Sequence, residues 1–164
     1  MKYPYFIGYF LLLLREYVTI YMYKIYLYLF YIFMEVFMKA LALHPFYAAM
    51  IAVGEKKIEY RSWNTNYRGD LLICSTLKKD LPVFPRGHAL AIVTIEKTVQ
   101  TKKGWSWHLK NVRPIIPVPV KCQQRIFDID VDIKELKIDD KLFLFDFWES
   151  AGLVSGVAEF FGEN

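Results

Sequence analysis

The run Gly54-Glu55-Lys56-Lys57-Ile58-Glu59-Tyr60-Arg61-Ser62-Trp63 gathers three cations, a central carboxylate and an indole within ten residues. In an extended chain alternate side chains face opposite ways, so Lys57, Glu59 and Arg61 share one face and Ile58 and Tyr60 the other. Lys56 stands just before that run, where it can project into a cleft. A carboxylate held by cations can accept from the exocyclic amine of a nucleobase, while the cations meet phosphate or carbonyl oxygens. Trp63 beside Arg61 offers a stacking platform, worth about 1–3 kcal/mol per unpaired base. The plainer reading is a surface ion-pair ladder of about 0–1 kcal/mol, with Trp63 packed at the rim of the core.

The flanking sequence must hold these side chains in place. Ala40–Leu43 reads as a short buried strand. Pro45 suits a first helical position, Phe46, Tyr47, Met50 and Ile51 recur at helical spacing, and Gly54 suits a left-handed cap. After a polar loop, Gly69-Asp70 opens the buried strand Leu71–Ser75, with Asp70 read as structural. Lys78 and Lys79, in a basic loop, and Arg86 are further candidates for phosphate contact, although solvated lysines are the commoner outcome. Leu81–Arg86, with Pro82 and Pro85, reads as irregular connection. His88–Glu96 is the strongest strand, and Gln100–Gly104 a short connection. Trp105, Trp107 and Leu109 share a strand face, and Pro114, Pro117 and Pro119 argue for an edge segment after it. Gln124–Ile133 alternates as a strand with one acidic face. Asp128, Asp130 and Asp132 invite a calcium loop, but Ile133 stands where such a loop needs glycine. Leu142–Trp148 is aromatic, and Ala151–Phe161 reads as a short amphipathic helix.

The pattern G-x-K-x-x-E-x-R over Gly54–Arg61 resembles the signature of ASCH domains, of the PUA-like group. Lys39-Ala40-Leu41-Ala42-Leu43-His44-Pro45 before it, Tyr67–Cys74 after it and Trp107-x-Leu109 leading to Arg113-Pro114-Ile115 extend the resemblance over roughly 38–130. It implies an α+β fold, a PUA-like small β-barrel with short flanking helices, over residues 38–133. It also implies that Lys56, Glu59 and Arg61 meet in a cleft bordered by Arg113. The function implied is binding of RNA or a modified nucleotide through Lys56, Lys57, Glu59, Arg61, Trp63, Lys78, Lys79 and Arg113, without a cofactor or a metal. Some relatives are amidohydrolases that deacetylate N4-acetylcytidine with a lysine and a threonine nucleophile. Aligned on Gly54, the lysine is Lys56 but the threonine position holds Glu59. If the chain is an enzyme on acylated nucleosides, Lys56 and Glu59 would be catalytic, with Glu59 activating water. A third reading is a structural or protein-interaction domain.

Charge agrees with a polyanion partner. Residues 38–127 carry 15 Lys/Arg against 5 Asp/Glu, whereas residues 128–164 carry 3 against 10. A basic body is the electrostatic footprint of nucleic-acid binding, and an acidic extension over 134–164 could fold across the cleft as a polyanion mimic. Cys74 and Cys122 have no metal or disulfide spacing, and Cys74 lies in an apolar run, which suits a buried free thiol in a reducing cytoplasm. His44, His88 and His108 are too scattered to predict a metal site.

Residues 1–37 are different in kind, holding nine of the twelve tyrosines. This apolar leader is expected to be helical if ordered. It reads either as the product of a start codon set too early, with translation beginning at Met38, or as a membrane anchor. A span needs about 20 apolar residues, and here Arg15-Glu16, Lys24 and Glu35 interrupt the run. No small-residue cleavage site marks a signal peptide.

Overall fold

The structure, a computed structural model, describes residues 4–35, 38–137 and 142–161. Residues 1–3 and 36–37 of the leader, and 138–141 and 162–164 of the acidic extension, lie outside the described residues. The chain divides into two compact units, Met1–Phe37 and Met38–Asn164.

The first unit is one helix, α1 (Pro4–Glu35), with Pro4 at its first position, where a missing N–H costs nothing. Its apolar side chains go round the whole circumference, so Tyr17, Tyr23 and Tyr28 all stand exposed. Tyr17 stacks on Tyr21 and Tyr26 on Phe30, one helical turn apart. No helix among the described residues is long and apolar enough to cross a membrane.

The second unit is α+β. Its strands are β1 (Met38–Leu43), β2 (Ile58–Arg61), β3 (Asp70–Ser75), β4 (His88–Thr101), β5 (Gly104–Pro119) and β6 (Ile126–Ile129). Helix α2 (Pro45–Ala52) joins β1 to the loop before β2, and α3 (Leu142–Ser150) and α4 (Val157–Phe161) follow the sheet. The strand order is β2-β5-β4-β3-β1-β6, with β1 and β3 parallel and the other neighbours antiparallel.

The expected barrel does not close. Strands β2 and β6 end the sheet on either side and do not pair. Each is four residues long, too short for two curling edges to run alongside one another. Three register shifts between β4 and β5 add the local twist that bulges impose. The curl brings the edges near enough for side chains to span the gap: Arg61 on β2 donates from an Nη to the carbonyl of Ala42 on β1, 3.1 Å away. That carbonyl lies beyond the last residue of β1 that β6 covers, Leu41.

Strand β3 reads apolar throughout because both its faces are covered. Leu71 and Ile73 enter the larger core with Leu41, Val93 and Trp107, while Leu72 and Cys74 enter a smaller one with Ile92, Ile115 and Phe127. Ala48, Ala49 and Ala52, all buried, seat α2 on the larger core. Cys74 is the expected buried free thiol.

Three elements differ from expectation. Strand β6 stops at Ile129, well short of Ile133, because its partner strand begins at Met38, which pairs with Ile129. The proline-bearing half of β5 does hydrogen-bond to β4 (Ala91 opposite Pro114, His88 opposite Pro119). Its other side, left free where β2 ends, takes the 134–136 segment: Ile116 N donates to Lys134 O and Leu136 N to Pro114 O. Finally, the acidic extension is part of the core, since Leu144, Phe145 and Trp148 of α3 are buried in the larger cluster.

Candidate functional site

The placement of Lys56 follows from how α2 begins and ends. His44 occupies the N-cap position without a side-chain cap of its own. Asp80 supplies one from 34 residues away, accepting from the backbone N–H of Phe46 at 3.0 Å and pairing with His44 Nδ1 at 2.9 Å. A carboxylate there also meets the positive end of the helix dipole. At the other end Gly54 takes φ +76°, a left-handed conformation glycine adopts without strain. The backbone N–H of Gly54 returns to Ile51 O, and that of Lys56 to Met50 O, both at 2.9 Å. This turn delivers Lys56 to the start of β2.

Strand β2 then places Glu59 opposite Trp107 and Arg61 opposite Trp105 of β5. Gly104 makes this docking fit: a Cβ there would stand 2.3 Å from the carbonyl oxygen of Arg61. Glu59 turns inward and is 6 % exposed, one of few buried polar residues in the unit. Its Oε2 meets Lys56 Nζ at 3.2 Å and its Oε1 meets Arg61 Nε at 3.2 Å. Lys56 also donates to the carbonyl of Ile58, and its ammonium lies 5.4 Å from the ring centroid of Tyr47 and 5.6 Å from that of Tyr60. The Arg61–Glu59 contact is an ion pair only, because Nε is not aligned to hydrogen-bond that oxygen. Burial pushes the Arg61 guanidinium below its ordinary pKa, and the Glu59 charge opposes that shift.

Among the described residues Arg61 Nε, Trp107 Nε1 and Trp148 Nε1 are buried donors without a hydrogen-bond acceptor from the protein. Buried N–H groups are rarely left so. A ligand meeting the Lys56, Glu59 and Arg61 side chains would face a carboxylate and two cations.

Of the residues singled out from sequence, Lys56, Glu59 and Arg61 come together. Lys57 precedes β2, is exposed, and forms no ion pair with Glu59. Trp63 lies beside the cleft, half-buried, its ring edge-on to Trp107 at 4.7 Å. Lys78 and Lys79 are exposed on the loop that ends in Asp80. Arg113 forms no ion pair with the Lys56, Glu59 and Arg61 cluster. Opposite Ile92 in the smaller core, it pairs with Asp70 and, at 2.9 Å, with Glu135, and it lines a concavity of about 470 Å³ together with Asp70, Thr94, Asn111 and Val112. The acidic extension sends no ion pair to Lys56 or Arg61 among the described residues.

Sequence alone assigns no site role to Tyr47, Tyr60, Asp80 or Arg125. Tyr47 and Tyr60 flank Lys56, and Tyr60 was expected only on the opposite strand face. Asp80 had one signal: a histidine is a poor N-cap, so the cap had to come from elsewhere. Arg125 had none. It adopts φ 63° and lays its guanidinium 5.8 Å from the Trp63 ring centroid.

The family model for the ASCH domain matches residues 41–127, and the chain belongs to the ASCH domain family. Among solved structures, the ASCH protein of Zymomonas mobilis superposes with a TM-score of 0.43 at 16 % identity, covering 71 % of this chain and 95 % of that one. Two single-substitution variants of that protein give TM-scores of 0.42 and 0.41 at 15 % identity, each covering 71 % of this chain and 96 % and 98 % of theirs. No curated protein matches the chain.

Proposed function

We propose that the chain binds RNA or a modified nucleotide, without catalysis, through the cleft formed by Lys56, Glu59 and Arg61. The observation that supports this reading is the buried Glu59 carboxylate with a cation 3.2 Å from each oxygen. A carboxylate is an acceptor, which suits the exocyclic amine of a base, while the Lys56 and Arg61 cations suit its carbonyl or phosphate oxygens. Lys57, Lys78 and Lys79 are exposed on the same basic body and supply a longer-range, salt-sensitive attraction to phosphates.

The second reading is an amidohydrolase on acylated nucleosides, favoured by the Lys56–Glu59 contact, since a carboxylate beside a lysine can activate water. Against it, no hydroxyl takes the nucleophile's place in the motif, where Glu59 stands.

Fluorescence anisotropy of a labelled single-stranded RNA at 50 and 200 mM salt separates the two. The binding reading expects affinity that falls with salt, and further with Lys56→Ala and with Glu59→Gln. Affinity indifferent to both substitutions would remove the RNA from the cleft. Consumption of N4-acetylcytidine by the wild type, abolished in both variants, would instead establish the enzyme.

A further inference from the structure

We propose that Arg125 is a phosphate-binding residue of the cleft, so that its ligand is a nucleotide, free or within a strand, in preference to a nucleoside. This rests on reading the Lys56/Glu59/Arg61 cleft as a nucleobase site.

Three observations lead to it. Arg125 immediately precedes β6, whereas Trp63 lies two residues beyond β2, so the Arg125–Trp63 contact at 5.8 Å reaches from one open edge of the sheet to the other. Trp63 in turn stands on Trp107, the residue opposite Glu59. The guanidinium is therefore linked to the carboxylate by two successive aromatic contacts and one cross-strand pair.

The second observation is that the hydrogen-bonding edge of Arg125 is unclaimed. Arg61, Arg68 and Arg113 each direct N–H groups to protein acceptors. Arg125 has no hydrogen bond or ion pair among the described residues, and is exposed. The Trp63 contact restrains this exposed guanidinium before a ligand arrives, and a guanidinium suits bidentate capture of a phosphate. Charge favours the same ligand: Lys56, Glu59 and Arg61 sum to +1, and Arg125 raises this to +2, opposite a phosphate monoester of about −1.5 to −2.

The third is backbone strain. At φ 63° an arginine occupies the left-handed region that side chains other than glycine, asparagine and aspartate seldom adopt. Such conformations persist where the surroundings over-determine them and concentrate at functional sites.

The test is calorimetric titration of the full chain with each of the four ribonucleosides, the matching 5′-monophosphates and inorganic phosphate. For at least one base, the wild type is expected to bind the monophosphate about tenfold more tightly than the nucleoside. Arg125→Gln should abolish that increment, so that monophosphate and nucleoside bind alike. Arg125→Gly, which suits the backbone at this position, should do the same without loss of stability. Arg125→Lys should restore only part, because an ammonium has no planar fork. Equal affinity for nucleoside and monophosphate in the wild type, with both lost in Glu59→Gln, would overturn the role of Arg125 and leave the cleft reading standing. Failure of every probe and of single-stranded RNA to bind would overturn both.

Discussion

Replacing Glu59 by glutamine keeps the shape of the side chain and removes its charge, leaving two cations in a partly buried site. Each cation is 3.2 Å from its own carboxylate oxygen. At an effective dielectric constant near 20, one such contact is worth about 5 kcal/mol of attraction before desolvation is charged against it. Removing one member of a buried pair typically costs about 3–5 kcal/mol, because the partner is left uncompensated. Here the Lys56 and Arg61 side chains keep 19 % and 23 % of their surface exposed and can recruit water, which lowers the expectation to about 2–3 kcal/mol. For a unit of this size that corresponds to a melting temperature lower by about 10 °C. All four tryptophans lie at or beyond position 63, so urea or thermal unfolding followed by tryptophan fluorescence reports the second unit alone. Adding Lys56→Met to Glu59→Gln removes one orphaned cation and should recover about 1 kcal/mol. A Glu59→Gln protein that melts within about 2 °C of the wild type would refute the reasoning, and the cluster would be a solvated ladder.

Asp80→Ala should cost about 1–2 kcal/mol by uncapping α2, and Asp80→Asn much less because asparagine also caps; equal losses in urea unfolding would count against the remote cap. Gly104→Ala should cost more than about 3 kcal/mol or prevent folding, since its Cβ would meet the Arg61 carbonyl. Gly54→Ala has open space around it and should cost only about 1 kcal/mol of backbone strain. The two melting temperatures order the sites directly. Burial raises the pKa of the Cys74 thiol from its ordinary 9.0, with the nearby Cys122 adding to the shift, and burial raises Cys122 likewise. The folded state then keeps a proton that the unfolded state loses. This contribution is complete below pH 9 and falls as pH rises, by up to about 1.4 kcal/mol per pH unit for each thiol. Cys74→Ala should flatten that slope in urea midpoints between pH 9 and 10, where the Tyr67 phenol, raised from 10.0 by burial and by Asp70 and Asp128, adds a smaller slope of the same sign that the substitution leaves in place.

Local chemistry made much of the fold legible. Pro45 and Gly54 bracket α2 as their backbone preferences require, and the apolar runs of β3 and β4 mark them as inner strands. Glu59 and Arg61 could be placed on one face because strand alternation survives on an edge. Lys57 could not be excluded from sequence, because the strand begins one residue after it and alternation fails there. Arg113 was assigned to the cleft by motif. Register shifts between β4 and β5 place it opposite Ile92, with its charge matched by Asp70 and Glu135. Asp80 and Arg125 act across 34 and 62 residues of sequence. No periodicity within one element reports contacts of that range.

The open sheet explains why the site lies where it does. In a closed barrel the backbone groups of two meeting edges satisfy one another and leave no gap for a side chain. Here β2 and β6 stay apart, and the carbonyl of Ala42, beyond the reach of β6, takes its donor from Arg61. That reach draws the guanidinium under cover, where burial lowers its pKa and a counter-charge becomes necessary. Glu59, two residues earlier on the same face, provides it and is buried in consequence. Lys56 then balances the second carboxylate oxygen. The charged cluster is thus a product of the unclosed seam. Substituting Arg61 by methionine should therefore loosen the seam as well as the cluster, and hydrogen exchange should rise at β2 together with Ala42 and Leu43. Exchange confined to β2 would show that the cluster forms without help from the seam.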